Sequence, residues 1–328
     1  MKIRTGLLLI GFLVAYQTVW GAGWVYEDVR VVADGGMSTR PVQSWTWPLT
    51  SSPQAAHGLN LALHVIVSAL AGCLAFRLGL SRQASWFVGA LILLQPVAVE
   101  SVAYAASRGE LMAALGILSA CLLALWTSPW RWPLVALSVF FAAGSKETGV
   151  VAVLLVPLTC WAAQMRVKQE IVVYGILGCF LTSITAIHAL DPHQAGLTRF
   201  LNAGETAQMA IGTHDWLLLQ ASAVYRLLGV SLSGLGMTVD YDYDALSQTA
   251  RWIAAGACLG LLTLTIALIR TQRLIAFGLG WTALALLPRV FVQTPRSYLN
   301  EHQFYVPLIG LIVAGMAWWD SATREVTA

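Results

Sequence analysis

The sequence predicts an all-α polytopic membrane protein, a bundle of about ten transmembrane helices with a large first outer loop. Three observations carry that expectation. Of 328 residues, 58% are hydrophobic and 11% charged, whereas soluble globular chains run about 45–50% apolar and about 25% charged. The apolar residues fall in long runs without period-2 alternation, and fourteen tryptophans accompany them, which argues for a helical bundle and against a β-barrel. The net charge of +3 comes with no basic stripe, so no nucleic-acid partner is expected. A soluble domain, a disordered tail and a disulfide scaffold are excluded by the same composition.

The apolar stretches lie near 5–22, 57–78, 84–100, 111–128, 132–144, 148–165, 171–190, 252–270, 274–290 and 304–319. Each fits or nearly fits the roughly 20 residues that a spanning helix needs. Lys2 and Arg4 precede the first run, a pattern shared with cleaved signal peptides. The many later spans favour a retained first helix over cleavage at Gly21-Ala22-Gly23. The 132–144 stretch is short, and Ser145-Lys146-Glu147 interrupts it before the next, as in a tight helical hairpin.

The stretch 207–236 is apolar but holds His214, Asp215 and Arg226. The positive-inside rule decides its placement: a spanning helix would put Arg270 and Arg273 outside, whereas a segment that lies on or dips into the outer face keeps both inside, and the second is expected. Ten spans with both termini cytoplasmic follow, in a membrane expected to be the bacterial inner membrane. The inside then carries Lys2, Arg4, Arg77, Arg82, Arg131, Arg166, Lys168, Arg270, Arg273 and Arg324 and totals +7, against −4 outside. The whole chain, 1–328, reads as one transmembrane domain with no separate soluble domain. The long polar segments, about 23–56 and 191–251, fall outside. Cys73, Cys121, Cys160, Cys179 and Cys258 sit in apolar runs without a CxxC pair and read as small buried hydrophobes.

Ionisable residues at span ends are costly and mark functional sites. Here they gather on one side. Glu27, Asp28 and Arg30 follow the first span; Glu100, Arg108 and Glu110 bracket the third and fourth. Lys146 and Glu147 occupy the next outer turn, and Arg289, Arg296, Glu301 and His302 bracket the last outer loop. A cavity lined with carboxylates and basic groups suits transfer of a sugar from a lipid phosphate. A carboxylate can act as general base on an acceptor hydroxyl, while Arg and Lys hold the leaving phosphate.

Several blocks of this chain resemble one family. Trp24-Val25-Tyr26-Glu27-Asp28-Val29 resembles the Tyr-Asp-Asp segment of the transmembrane O-mannosyltransferases with tetratricopeptide repeats. Thr39-Arg40-Pro41-Val42 is similar to that family's Tyr-Arg-Pro-Leu. The run from His57 through Asn60 to His64 resembles its His-x-x-Asn-x-x-x-His. Gln95-Pro96-Val97-Ala98-Val99-Glu100-Ser101-Val102 and Ser107-Arg108-Gly109-Glu110-Leu111 resemble its His-Pro-Val-His-Thr-Glu-Ala-Val and Gly-Arg-Ala-Asp-Leu. Ser145-Lys146-Glu147-Thr148-Gly149 resembles its Lys-Glu-x-Gly turn, and the block from Glu301 to Pro307 its Glu-Arg-x-Leu-Tyr-Leu-Pro.

These blocks recur in order across roughly residues 24–310. The resemblance implies the GT-C membrane glycosyltransferase fold, a polyprenyl-phosphate-linked sugar as donor, and a catalytic carboxylate in the first outer loop. By that resemblance Asp28 is the leading catalytic base, with Glu27 second. Arg40, Glu100, Arg108, Glu110, Lys146, Glu301 and His302 are the candidate substrate-binding residues. Inverting transfer to a protein or glycolipid hydroxyl needs no metal and no cofactor in this scheme, since basic side chains neutralise the phosphate. The chain also departs from the family pattern: Gln95 and Ala98 stand in place of histidines, His302 in place of arginine, and Glu27 in place of aspartate. A second reading therefore stays open, a non-catalytic relative that binds lipid-linked sugar or serves as a membrane assembly partner.

Rival roles accompany several residues. Arg108 is equally suited to pair with Glu100 or to hold phosphate, and Lys146 to cap a helix or to bind phosphate. His57 and His64, seven apart, share a helix face; without a third ligand at suitable spacing, His64 reads as a packing or hydrogen-bonding residue. His302 suits phosphate contact or pairing with an acid. Trp45 and Trp47 read as an interfacial anchor, and the alternating acids and tyrosines of 240–244 as a solvated loop.

Overall fold

A computed structural model describes residues 2–24, 28, 42, 45–46, 48, 52–165, 213–235, 247–291 and 301–327. Among these residues the chain is helical and contains no strand. The helices are α1 (Lys2–Trp20), α2 (Pro53–Arg77), α3 (Arg82–Leu94), α4 (Ala98–Ala103), α5 (Arg108–Ala124), α6 (Arg131–Ser145), α7 (Ala152–Ala162), α8 (Thr213–Ser233), α9 (Gln248–Leu268), α10 (Arg273–Phe291) and α11 (Tyr305–Thr327). Short 3₁₀ turns at Ala105–Ser107, Glu147–Val151 and Glu301–Phe304 lead into α5, α7 and α11.

Among the described residues, five helical stretches are long and apolar enough to cross a membrane: Pro53–Arg77, Ala105–Ala124, Asp215–Ser233, Gln248–Leu268 and Glu301–Glu325. Five shorter apolar helices accompany them, including Gly6–Trp20 and Arg273–Pro288. The chain is thus an all-α protein with membrane-spanning character.

Helix starts follow from the local sequence. Ser52 Oγ accepts the Ala55 amide at 3.2 Å, with Pro53 opening α2. Ser81 Oγ does the same for Ala84 at 3.2 Å, and Ser247 Oγ for Ala250 at 3.3 Å. A hydroxyl at the N-cap satisfies an amide that would otherwise lack a partner, and proline at the first helical position sacrifices no hydrogen bond. At the other end of α2, Gly79 adopts φ +106°, and Leu80 N–H returns to Ala75 O at 3.2 Å, a left-handed stop that favours glycine.

We call the end of the bundle that holds Asp28, Glu100 and Arg108 the upper end. At the lower end, Asp320 of α11 accepts the Ser81 amide at 3.0 Å and pairs with Arg324 at 2.7 Å. Arg77 there caps the Leu125 carbonyl at 2.9 Å. The α9–α10 turn, with Arg270 and Arg273, lies at this lower end too, because α10 runs antiparallel to α11: Trp281 Nε1 donates to Val306 O at 3.0 Å, near the upper start of α11. Gly278 and Gly310 allow this pair to close. A Cβ on Gly278 would sit 2.5 Å from Gly310 O, and one on Gly310 2.5 Å from Gly278 O. Small residues of this kind let apolar helices approach backbone to backbone. The main core runs through α2, α3, α5, α6, α7, α10 and α11.

Three expectations need correction. The stretch 207–236 was expected on the outer face, but Thr213–Ser233 is a helix long and apolar enough to cross. It packs along α9, with Cys258 Sγ 3.7 Å from Ala221 O, and its last turn reaches the upper end, where Gln95 Nε2 donates to Ser231 O at 2.6 Å. Its charges do not prevent this, since Asp215 sits exposed in the first turn. Next, the stretch 84–100 is not continuous. It breaks at Gln95, whose ψ is 122°, because the residue before a proline is driven out of the helical region. Finally, Cys73 is exposed, while Cys121 and Cys160 are buried. The expected span at 171–190, and Cys179 within it, lie outside the described residues.

Candidate active site

The site is built at the upper end, where α2, α4, α5, α6 and α11 meet. The Pro96 break turns the chain into α4 and the Ala105–Ser107 turn, and this small cap presents backbone amides. Asp28 is fully buried against it: Oδ1 accepts the Ala106 amide at 2.6 Å and Oδ2 the Ala105 amide at 3.3 Å. Arg108, the first residue of α5, is also fully buried and lies within electrostatic range of Asp28. Its Nε donates to Asn60 Oδ1 at 2.9 Å and its Nη1 to Thr46 Oγ1 at 3.0 Å. Asn60 in turn donates to the carbonyls of Val102 at 3.1 Å and Tyr104 at 3.3 Å. The first loop, α2, the α4 cap and α5 are thus joined through one guanidinium and one amide.

Two acid–base pairs lie beside this group. Glu110, in the first turn of α5, meets Lys146 at 2.8 Å and accepts the Thr148 hydroxyl at 2.8 Å. Lys146 follows α6 in an extended conformation that ends the helix. Glu100 meets His302 twice, accepting its backbone amide at 2.8 Å and facing its Nδ1 at 2.8 Å. Burial pushes the Glu100 carboxyl up, but the His302 side chain and the amides of His302 and Glu301 outweigh it and hold the group below the ordinary carboxylate value. The two pairs are neighbours, because Lys146 and Glu110 both act electrostatically on His302. Glu301 is buried beside them.

A layer below, His64 joins three helices. Its Nδ1 lies 2.7 Å from the Tyr305 hydroxyl, and its Nε2 lies 3.1 Å from the Tyr16 hydroxyl and 3.2 Å from Leu93 O. This is the hydrogen-bonding role expected of it. Among the described residues no group of three His, Cys, Asp or Glu side chains could hold a metal ion.

Asp28, Glu100, Arg108, Glu110, Lys146, Glu301 and His302 therefore converge at one end. One pairing differs from expectation. Glu100 pairs with His302 and not with Arg108, because the α4 cap carries it toward the start of α11 while Arg108 turns toward α2. His302 takes the acid-pairing role. Glu27 and Arg40 lie outside the described residues, as do Trp47 and 240–244; Trp45 is exposed. Asn60, Thr46 and Thr148 were not named as site residues beforehand. Only Asn60 carried a signal, a lone amide amid an apolar run on the face shared by His57 and His64. Comparison of the chain with family models, curated proteins and solved structures finds no match.

Proposed function

We propose that this chain is a GT-C-type glycosyltransferase. It moves a monosaccharide from a polyprenyl-phosphate carrier to an acceptor hydroxyl of a protein or glycolipid. One observation carries the reading: Asp28 from the first loop and Arg108 from the head of α5 are brought together, fully buried, at the end of the bundle where Glu100–His302 and Glu110–Lys146 also lie. An acid beside basic groups is what transfer from a lipid phosphate requires.

In this reading Asp28 takes the proton of the acceptor hydroxyl. The Ala105 and Ala106 amides orient its carboxylate. The acceptor oxygen bonds to the anomeric carbon as the bond from that carbon to the phosphate oxygen breaks. The electron pair leaves with the phosphate, which Arg108, Lys146 and His302 stabilise, and the configuration inverts. No metal or cofactor enters the scheme. The lower end, with Arg77, Arg82, Arg131, Arg270, Arg273 and Arg324, faces the cytoplasm by the positive-inside rule; the site faces the periplasm of a bacterial inner membrane.

A second reading is favoured by a different observation. Asp28, Glu100 and Glu110 are all engaged by protein groups already, as in a purely structural bundle end. This describes a non-catalytic relative that binds lipid-linked sugar or assists membrane assembly. Intact-mass comparison of outer-face proteins and glycolipids separates the two. The strains are a deletion, the deletion with the native chain, and the deletion with Asp28→Asn at equal membrane abundance. A hexose- or pentose-sized shift restored only by the native chain supports transfer with Asp28 as base. Equal rescue by Asp28→Asn removes that role, and no shift in any strain moves the assignment to the non-catalytic relative.

A further inference from the structure

His57 sits in the second turn of α2 with no solvent exposure, and neither ring nitrogen has a hydrogen-bond partner. That is anomalous, because buried polar groups are almost always paired, and an imidazole has a donor or acceptor at each nitrogen. Its place on the helix makes the anomaly informative. His57, Asn60 and His64 lie at i, i+3 and i+7 and form one column on the inward face of α2. The two lower members are fully used. His64 is held by Tyr305, Tyr16 and Leu93, and Asn60 by Arg108, Val102 and Tyr104. The top member, one turn above the Asn60–Arg108 bond, is the one left open. Its neighbour Ala56 packs with Ala105, whose amide holds Asp28. His57 therefore belongs to the Asp28–Arg108 corner of the site.

We propose that His57 is a ligand-contacting residue that takes a sugar hydroxyl at one of its ring nitrogens. This rests on the transfer reading and deepens it by naming which part of the donor lies at this corner. Hydrogen-bond chemistry selects hydroxyl over phosphate. In the transfer reading Arg108, Lys146 and His302 hold the phosphate, which leaves the sugar to His57. A hydroxyl both donates and accepts, as a neutral imidazole does, whereas a phosphate only accepts. An ordered water is the competing occupant of this position.

The test uses the full chain in lipid nanodiscs and measures binding rather than turnover. The probes are polyprenyl-phosphate-linked mannose, glucose and arabinose, with bare polyprenyl phosphate as the control. His57→Phe keeps a ring but removes both polar atoms, and His57→Asn keeps a donor and an acceptor. His57→Phe is expected to weaken binding of the preferred sugar-bearing lipid by about tenfold or more, since a site built to bond a hydroxyl depends on that bond. Binding of bare polyprenyl phosphate is expected to stay within about twofold, a change well under one decade of affinity. The melting temperature should not fall, because an unpaired buried polar group has been removed, and His57→Asn should recover part of the affinity. Unchanged affinity of His57→Phe for the sugar lipid overturns the proposal and leaves water at the ring. Equal loss for both lipids together with a lower melting temperature overturns it in favour of packing. Failure of the transfer reading appears instead in the native chain, as no preference for any sugar-bearing lipid over bare polyprenyl phosphate.

Discussion

Glu110 and Lys146 meet at 2.8 Å with side chains 1% and 10% exposed, and so join the head of α5 to the end of α6 by a buried ion pair. Removing one partner of such a pair strands the other charge and costs about 3–5 kcal/mol, whereas neutralising both costs far less. Lys146→Met and Glu110→Gln should each lower the stability of the purified protein by that order. The double variant should recover most of the loss. Thermal unfolding in detergent, arranged as a double-mutant cycle, reads the coupling directly, and additive losses would show that the pair carries none.

Arg108 uses its Nε for Asn60 and its Nη1 for Thr46, in a fork that a lysine cannot reproduce. Arg108→Lys keeps the charge but should lose at least one of these bonds, at about 1.5–3 kcal/mol for hydrogen bonds to a charged group. Asn60→Asp would retain an acceptor for the guanidinium, so it should be milder toward Arg108 while breaking the bonds to Val102 and Tyr104. Melting temperatures of the two single variants, and proteolysis within the first loop, check this.

The Glu100–His302 contact carries a pH signature. The folded carboxyl titrates below its ordinary value, so between the two the unfolded chain binds the proton more readily, and stability rises with pH there. The contribution is complete above the ordinary glutamate value of about 4.3 and is lost as the pH falls through the lower folded value. Melting profiles of the native chain from neutral pH into strong acid should show the loss. Glu100→Gln should flatten that limb and cost about 1–3 kcal/mol at neutral pH through the weakened bonds.

Gly278 and Gly310 sit at backbone contact across α10 and α11, where a Cβ on either would fall 2.5 Å from a carbonyl oxygen of the other helix. Gly310→Ala should force the helices apart and cost about 1–3 kcal/mol, as overpacking does. Gly256→Ala serves as the control: nothing lies near that position, so its substitution should be neutral. Melting of both variants in the same detergent decides the comparison.

Much of this arrangement is legible in the residues themselves. Apolar runs locate most of the described helices. The convergence of Asp28, Glu100, Arg108, Glu110, Lys146 and His302 follows from topology: charged span ends that fall on the same side of successive crossings must meet. Partner choice is not legible, because it depends on rotation about each helix axis. Arg108 and Glu100 stand eight residues apart, yet the intervening cap sends them to different neighbours. The stretch 207–236 was expected to lie on or dip into the outer face, whereas the length and apolarity of Asp215–Ser233 suit a crossing. Charge bias records which end of a segment faces a given side, and it says little about a helix whose few charges lie near its start or against neighbouring helices.

The contacts that close the bundle also bear on how the chain is made. His64 waits 241 residues for Tyr305, Ser81 waits 239 for Asp320, and Glu100 waits 202 for His302. A polypeptide enters the bilayer from its N-terminus, so these partners arrive only with the final segment. Until then, His64 has only Tyr16 and Leu93, and the Ser81 amide and the Glu100 carboxylate lack these partners. Long-range closure of this kind makes assembly late and cooperative. The last helix acts as the clasp of the fold, and a ribosome that stalls before Glu301 leaves a product suited to quality-control proteolysis rather than to partial function.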